Sequence, residues 1–200
     1  MIQTLHPETP QLRHLERIAT LLQRDGVIAY PTDTIYGLGC LMSRKKAVDR
    51  INGIKRRDSR RPMSILCSSL EMLSRYTRHL DTPVFKHLKR IFPGPYTAIL
   101  PASRDVPRHL QPRQDVGIRI PAHPFCLALV DLLGEPILTT SCNLSGEPPI
   151  GSAWDIEAEL GHALDLVIDC GSPCGEPSTV ISFLDEEPTV LREGAGPWPL

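Results

Sequence analysis

Pro136-Ile137-Leu138-Thr139-Thr140-Ser141-Cys142-Asn143-Leu144-Ser145-Gly146-Glu147 is the stretch whose reading decides the fold. Its apolar start gives way within a few residues to hydroxyls and an amide, then turns at a glycine. Buried hydroxyls and amides without partners cost free energy, so a packed strand that ends this way faces a polar ligand. Upstream, Phe125 to Leu133 is an apolar helix ended by Gly134; downstream, a helix from about Ala153 to Leu160 leads to a strand from Leu166 to Asp169. A strand set between helices in this way marks an α/β domain.

The alternation continues outward in both directions. Thr9-Pro10 reads as an N-cap followed by proline, and Leu12, Leu15, Ile18, Ala19 and Leu22 then keep helical spacing up to Gly26. Val27 to Tyr30 is a short buried strand that runs into the turn-like Pro31-Thr32-Asp33-Thr34 and then Tyr36-Gly37-Leu38-Gly39. A helix covers Lys45 to Ile54, a strand Met63 to Cys67, and Ser68-x-x-Glu71 matches a capping box opening a helix toward Tyr76. Thr82-Pro83 repeats the cap-then-proline signal for a helix reaching Ile91. Strands follow at Tyr96 to Leu100 and Val116 to Ile120. Ser178 to Phe183 and Thr189 to Arg192 close the chain as strands with no helix between them, which makes the sheet mixed, parallel and antiparallel. One domain over residues 1–200 is expected, a single twisted sheet flanked by helices and enclosing a concave, positively charged cleft.

Charge is unevenly spread. From Arg44 to Arg61 nine Lys/Arg stand against two Asp, a balance of +7; from Glu147 to Leu200 one Arg stands against eleven Asp/Glu, a balance of −10. Such asymmetry suits a face that attracts anions. No stretch reaches the roughly 18 apolar residues of a membrane span, and the start lacks a signal-peptide pattern, so a cytoplasmic protein is expected. The six cysteines are scattered, mostly inside apolar runs, as reduced buried thiols are. Cys170 and Cys174 lack the paired ligands of a zinc site.

Several catalytic engines are absent. There is no phosphate loop of the G-x-x-x-x-G-K-[ST] type, no complete dinucleotide fingerprint, no H-E-x-x-H and no G-x-S-x-G. Lys55, Arg57 and Arg61 instead fall in the connection between a helix and a buried strand, at the sheet edge where α/β folds bind ligands. Arginine offers a planar fork for phosphate oxygens and lysine a compact charge. Arg119, between Ile118 and Ile120 on a strand, needs a carboxylate or phosphate partner if it points inward.

In order along the chain stand Tyr30-Pro31-Thr32-Asp33-Thr34-Ile35-Tyr36-Gly37-Leu38-Gly39, Lys55-x-Arg57, Pro93-Gly94-Pro95-Tyr96-Thr97 and Gly117-Ile118-Arg119-Ile120-Pro121. They are followed by Thr139-Thr140-Ser141-x-Asn143-Leu144-Ser145-Gly146, Pro177-Ser178-Thr179-Val180-Ile181 and Leu191-Arg192-Glu193-Gly194. Together these blocks resemble the threonylcarbamoyl-adenylate synthase family of YrdC/Sua5 type, from about residue 13 to residue 196. The resemblance implies a nucleotidyltransferase that joins L-threonine, bicarbonate and ATP into threonylcarbamoyl-AMP and releases pyrophosphate. That product feeds, through threonylcarbamoyl transferase machinery, the N6-threonylcarbamoylation of adenosine 37 in tRNA.

The resemblance places Lys55, Arg57, Arg61, Ser141, Asn143 and Arg192 at the ATP, with Lys55 and Arg57 as candidates for the catalytic charge. It places Thr34, Arg119, Thr139 and Ser178 at the threonine, and it implies Mg2+ carried with the ATP. Leu66 stands where some members carry a histidine, and Pro148-Pro149 replaces a small or polar residue. The opening Leu5-His6-Pro7-Glu8-Thr9-Pro10 and Asp58-Ser59-Arg60-Arg61 resemble the YciO-type branch. Two other functions stay open at this level. One is a noncatalytic RNA-binding or ribosome-maturation module that tracks tRNA or other RNA with the basic segment; the other is a carbamoyl-adenylate enzyme with a different acceptor.

Overall fold

Helix α1, Leu12–Gln23, converts the first periodic run into structure: Leu15, Ile18, Ala19 and Leu22 are its buried stripe. Burying an aliphatic side chain of this kind stabilises by about 1.5–3 kcal/mol. The computed structural model describes residues 1–56, 63–107, 110 and 114–198. Within them the other helices are α2 (Lys45–Ile54), α3 (Leu70–Tyr76), α4 (Thr82–Ile91), α5 (Pro124–Leu133) and α6 (Ala153–Leu160). The strands are β1 (Ile2–Thr4), β2 (Ile28–Tyr30), β3 (Gly37–Leu41), β4 (Ser64–Leu66), β5 (Tyr96–Pro101), β6 (Asp115–Arg119), β7 (Ile137–Ser141), β8 (Leu166–Asp169), β9 (Thr179–Ser182) and β10 (Thr189–Arg192).

All ten strands form one sheet in the order β1-β8-β2-β3-β7-β4-β6-β5-β9-β10. The pairs β1–β8, β2–β8, β4–β6 and β5–β9 are parallel and the rest antiparallel, as the alternation and the late pair of strands predict. Helices α1 and α2 pack on β3, and α6 on β8, β1 and β2, while α1 also meets α5. Their apolar stripes join the strand interiors in one core. Among the described residues no helix is long and apolar enough to cross a membrane, and no cluster of three or more His, Cys, Asp and Glu side chains is placed to hold a metal ion by itself. All six cysteines are free, and only Cys174 is exposed.

The helix caps correct the sequence reading. Thr9 does not cap α1: the helix starts at Leu12 after Gln11, while Thr9 bonds the His6 ring. Ser69, not Ser68, accepts the Met72 N–H at 3.1 Å and opens α3. Asp81 takes the cap position of α4, and Thr82 lies inside it. In each case a short polar residue stood within two positions of the true cap, and spacing alone does not pick between them.

Two strands had no sequence signal. Strand β1 is three residues long and depends on β8 for its pairing. Strand β3 holds two glycines in five residues, a composition that weakens a strand locally. Packing requires the glycine at 39 and leaves little room at 37. A Cβ on Gly39 would lie 2.7 Å from the Tyr30 ring and 2.7 Å from Ile137, and one on Gly37 3.1 Å from Thr139 Oγ1. Tyr30 thereby reaches across β3 and donates its hydroxyl proton to Thr139 Oγ1 at 2.7 Å.

Candidate functional site

Strand register builds the site. Thr139 pairs with Ser64, Ser64 with Gly117, Gly117 with Ile99, and Ile99 with Ser182. This row crosses the middle of the sheet, and all five residues line one cleft of about 760 Å³. Alternate strand residues share a face, so the neighbouring rows present Ser141 and Asp115 on one side and Arg119, Thr97 and Val180 on the other. Arg192, paired with Val180, completes the inner row. All of these residues line the cleft.

Arg119 is buried and finds its carboxylate. Its NH2 donates to Asp33 Oδ1 at 2.9 Å and to Thr34 Oγ1 at 2.8 Å. Asp33 Oδ2 in turn accepts the Ala122 N–H at 3.0 Å, and the Thr32 hydroxyl bonds Thr34 at 3.0 Å. The Pro31–Thr34 turn is therefore a socket for one face of the guanidinium. Among the described residues Arg119 Nε is buried without a partner. Beside Arg119 in register lies Leu66, fully buried and apolar, which cannot supply one.

Arg192 is held differently. Its Nε and NH2 donate to the Ser178 carbonyl at 3.2 and 2.7 Å, and NH2 reaches Ser178 Oγ at 3.3 Å. Ser178 Oγ also bonds Thr97 Oγ1 at 2.8 Å. Burial, reinforced by the charge of Arg119, lowers the Arg192 pKa from its ordinary value. Two guanidiniums thus face each other's fields across one cleft, an arrangement that favours an anionic ligand. The segment after β10 fixes this corner, because Ala195 N–H donates to Pro177 O and Tyr96 OH to Pro197 O.

Lys55 caps α2 and is almost wholly buried. Its Nζ donates to the Ser141 carbonyl at 2.8 Å and to Asn143 Oδ1, and Ser141 Oγ donates to Asn143 Oδ1 at 2.6 Å. Asn143 Nδ2 donates to the Glu147 carbonyl, and the Lys55 carbonyl accepts from Ser145 N–H at 3.3 Å. The polar end of β7 noted in the sequence is therefore wired to the helix that carries Lys55. Cys142, between these residues, is fully buried, and burial pushes its thiol up to about 12.

Of the residues expected at a ligand, Ser141, Arg119, Thr139, Ser178 and Arg192 line the cleft. Thr34 stands behind Arg119, and Lys55 and Asn143 stand behind Ser141, bonded to side chains that do line it. Arg57 and Arg61 lie outside the described residues. Sequence reasoning missed Asp33, although a buried strand arginine demanded a carboxylate somewhere. It also missed Ser64, Asp115 and Ser182, which the alternation on β4, β6 and β9 places on the cleft face. An apolar shelf of Ile99, Val180, Leu184 and Leu191 closes one end, and its two leucines are exposed.

Comparison with known proteins follows this geometry. The family model for Sua5, YciO and YrdC proteins, described as telomere recombination, matches residues 20–194. An uncharacterized protein of Haemophilus influenzae is 39% identical over 196 residues, covering 96% of this chain and 94% of that protein. The crystal structure of Escherichia coli YciO superposes with a TM-score of 0.92 at 36% identity, over 98% of this chain and 97% of that one. A threonylcarbamoyl-AMP synthase of Pyrococcus abyssi is 36% identical over 184 residues, 90% of this chain and 54% of that enzyme. The structure of P. abyssi Sua5 complexed with L-threonine matches with a TM-score of 0.91 at 32% identity, over 97% of this chain and 57% of that one. This chain belongs to the Sua5/YciO/YrdC family.

Proposed function

We propose that the protein is an L-threonylcarbamoyladenylate synthase, which condenses L-threonine, bicarbonate and ATP into threonylcarbamoyl-AMP and supplies the tRNA-modifying transfer step. The observation that carries this reading is the pair Arg119 and Arg192, held by separate networks on the inner row of one hydroxyl-lined cleft. Family members named threonylcarbamoyl-AMP synthase, and a relative's complex with L-threonine, supply the substrate class.

Arg119 suits the amino-acid carboxylate, since Asp33 and Thr34 occupy NH2 and fix the plane of the guanidinium. Thr139 and Ser178, whose hydroxyls line the same cleft, suit the polar remainder of that ligand. Bicarbonate takes up a proton and loses water to give carbon dioxide. The neutral amine adds to it and gives up a proton, leaving a carbamate whose oxygen forms a bond to the α-phosphorus while the bond to the bridging oxygen breaks and pyrophosphate leaves. This chemistry needs reactants held in line and charge neutralised, not a covalent nucleophile. Ser141, oriented by Lys55 and Asn143, suits the phosphates, and the shelf of Val180, Leu184 and Leu191 suits the flat face of adenine.

Leu66 beside Arg119 supports a second reading, the same adenylation with a different acceptor, because the floor there offers the ligand no polar contact. One assay separates the readings: incorporation of radiolabelled bicarbonate, with release of pyrophosphate, across a panel of amino acids. Threonine-dependent incorporation, lost in Lys55→Met, is the expected result. Incorporation with another amino acid and none with threonine would replace the substrate, and no incorporation with any would remove the enzyme reading.

A further inference from the structure

Asp115 opens β6 on the same face as Gly117 and Arg119. Among the described residues lining the cleft it is the one carboxylate, and its side chain makes no hydrogen bond or ion pair with any of them. Among the described residues no cation pairs with it: the arginines of the cleft, Arg119 and Arg192, are bonded to Asp33, Thr34 and Ser178 instead. The position is nevertheless set firmly. Gln114, just before it, takes a left-handed φ of 60°, and Arg78 NH2 holds the Gln114 side chain at 2.9 Å. The Gln114 carbonyl accepts the Ala102 N–H at 2.9 Å.

Register sets what Asp115 would meet. Ser64 pairs with both Thr139 and Gly117, so Ser141 and Asp115, each two residues further toward the same edge, stand in one row. They flank the β4 line and are about 10 Å apart, two inter-strand spacings. On the nucleotide reading, a triphosphate bonded to Ser141 with its base on the Leu184–Leu191 shelf would pass over Asp115. Along β6, Arg119 lies about 13 Å away at the inner end. A bare carboxylate beside a polyanion repels it, whereas a divalent ion between them reverses the sign. Magnesium is bound in this manner, through one or two carboxylates plus substrate phosphates while keeping several waters. A carboxylate without a side-chain partner, in a cleft whose other described charges are Arg119 and Arg192, is the donor such an ion needs.

We infer that Asp115 is the residue through which the protein holds the divalent metal of a bound nucleotide triphosphate, so that the cleft selects the metal complex over the free nucleotide. This rests on the nucleotide reading above, and the test separates the two. The affinity of adenylyl imidodiphosphate is measured by calorimetry with magnesium and, separately, with EDTA, for the wild-type protein, Asp115→Asn and Asp115→Lys. Thermal unfolding serves as the check on folding.

The wild-type protein is expected to prefer the magnesium complex. In Asp115→Asn, affinity for the magnesium complex falls and affinity for the metal-free nucleotide rises, each by roughly five- to tenfold, the size of one solvent-screened charge contact. Asp115→Lys extends both changes. A purely structural role moves both affinities in the same direction, and that result overturns the inference, as does an unchanged ratio in folded variants. If Asp115 instead holds the amine of an acceptor, the ratio is likewise unchanged and the inference fails. A wild-type protein that binds neither form removes the nucleotide reading itself, and the inference with it.

Discussion

Asp33 and Arg119 lie 86 residues apart in sequence, yet they form a nearly buried pair at 2.9 Å with side-chain exposures of 9% and 10%. Removing one member of such a pair leaves a charge with poor solvation, which costs about 3–5 kcal/mol in a sealed core. The cleft admits water to Arg119, so Asp33→Ala is expected to destabilise by about 2–3 kcal/mol, at or below the bottom of the sealed-core range. It also frees the guanidinium to turn, so on the proposed function the threonine requirement is expected to rise. Urea unfolding of Asp33→Ala and Asp33→Asn measures the first effect. Equal stability of Asp33→Ala and wild type would show that the pair is cosmetic. The Arg119 partner was demanded by the sequence, because a charge between two isoleucines on a strand has to be met, but its identity was not.

At the scale of the element, β3 is a strand only because its neighbours make it one. Gly37-Leu38-Gly39 carries little intrinsic preference for extended structure, and it pairs on both sides, with β2 and with β7. The glycines make room for Tyr30, whose hydroxyl fixes Thr139 at the cleft. Gly39→Ala puts a methyl 2.7 Å from both the Tyr30 ring and Ile137. Overpacking of this kind costs about 1–3 kcal/mol. The expected outcome is a lowered melting temperature together with a displaced Tyr30, read as a change in near-ultraviolet circular dichroism. A Gly39→Ala protein as stable as wild type would mean that Tyr30 does not lie across β3. By contrast, α2, α6, β8 and β10 match the bounds read from their own residues, since the spacing of their apolar positions acts locally.

For the whole molecule, the buried thiols set a limit on alkaline stability. Cys40 and Cys142 are fully buried, and burial pushes both up to about 12 from the ordinary value of 9.0. The fold favours their protonated forms. Their contribution is therefore complete below pH 9 and is lost as pH rises from 9 toward 12. Each group then removes up to about 1.4 kcal/mol per pH unit. The urea midpoint is expected to stay level between about pH 7 and 8.5 and to decline above 9, less steeply in a Cys40→Ala, Cys142→Ala double variant. A midpoint that stays level through pH 10 would contradict the burial of these thiols. Below pH 9 the same burial keeps them protonated and poorly nucleophilic, leaving Cys174 as the exposed thiol.

At this same scale the division between sequence and structure is clear. The sequence by itself determined the α/β alternation, most element bounds, the mixed sheet and the strand-borne polar residues Arg119, Thr139 and Ser141. Each of these rests on residues a few positions apart, where periodicity and turn chemistry act. Tertiary structure alone decided that β4 lies between β7 and β6, and hence that Ser141 and Asp115 share a row. It alone placed Lys55 behind Ser141 rather than on the cleft, and chose Asp33 as the partner of Arg119. Those outcomes depend on which distant segments close against each other, and that choice is made by the summed packing of the core, which no local stretch of sequence encodes.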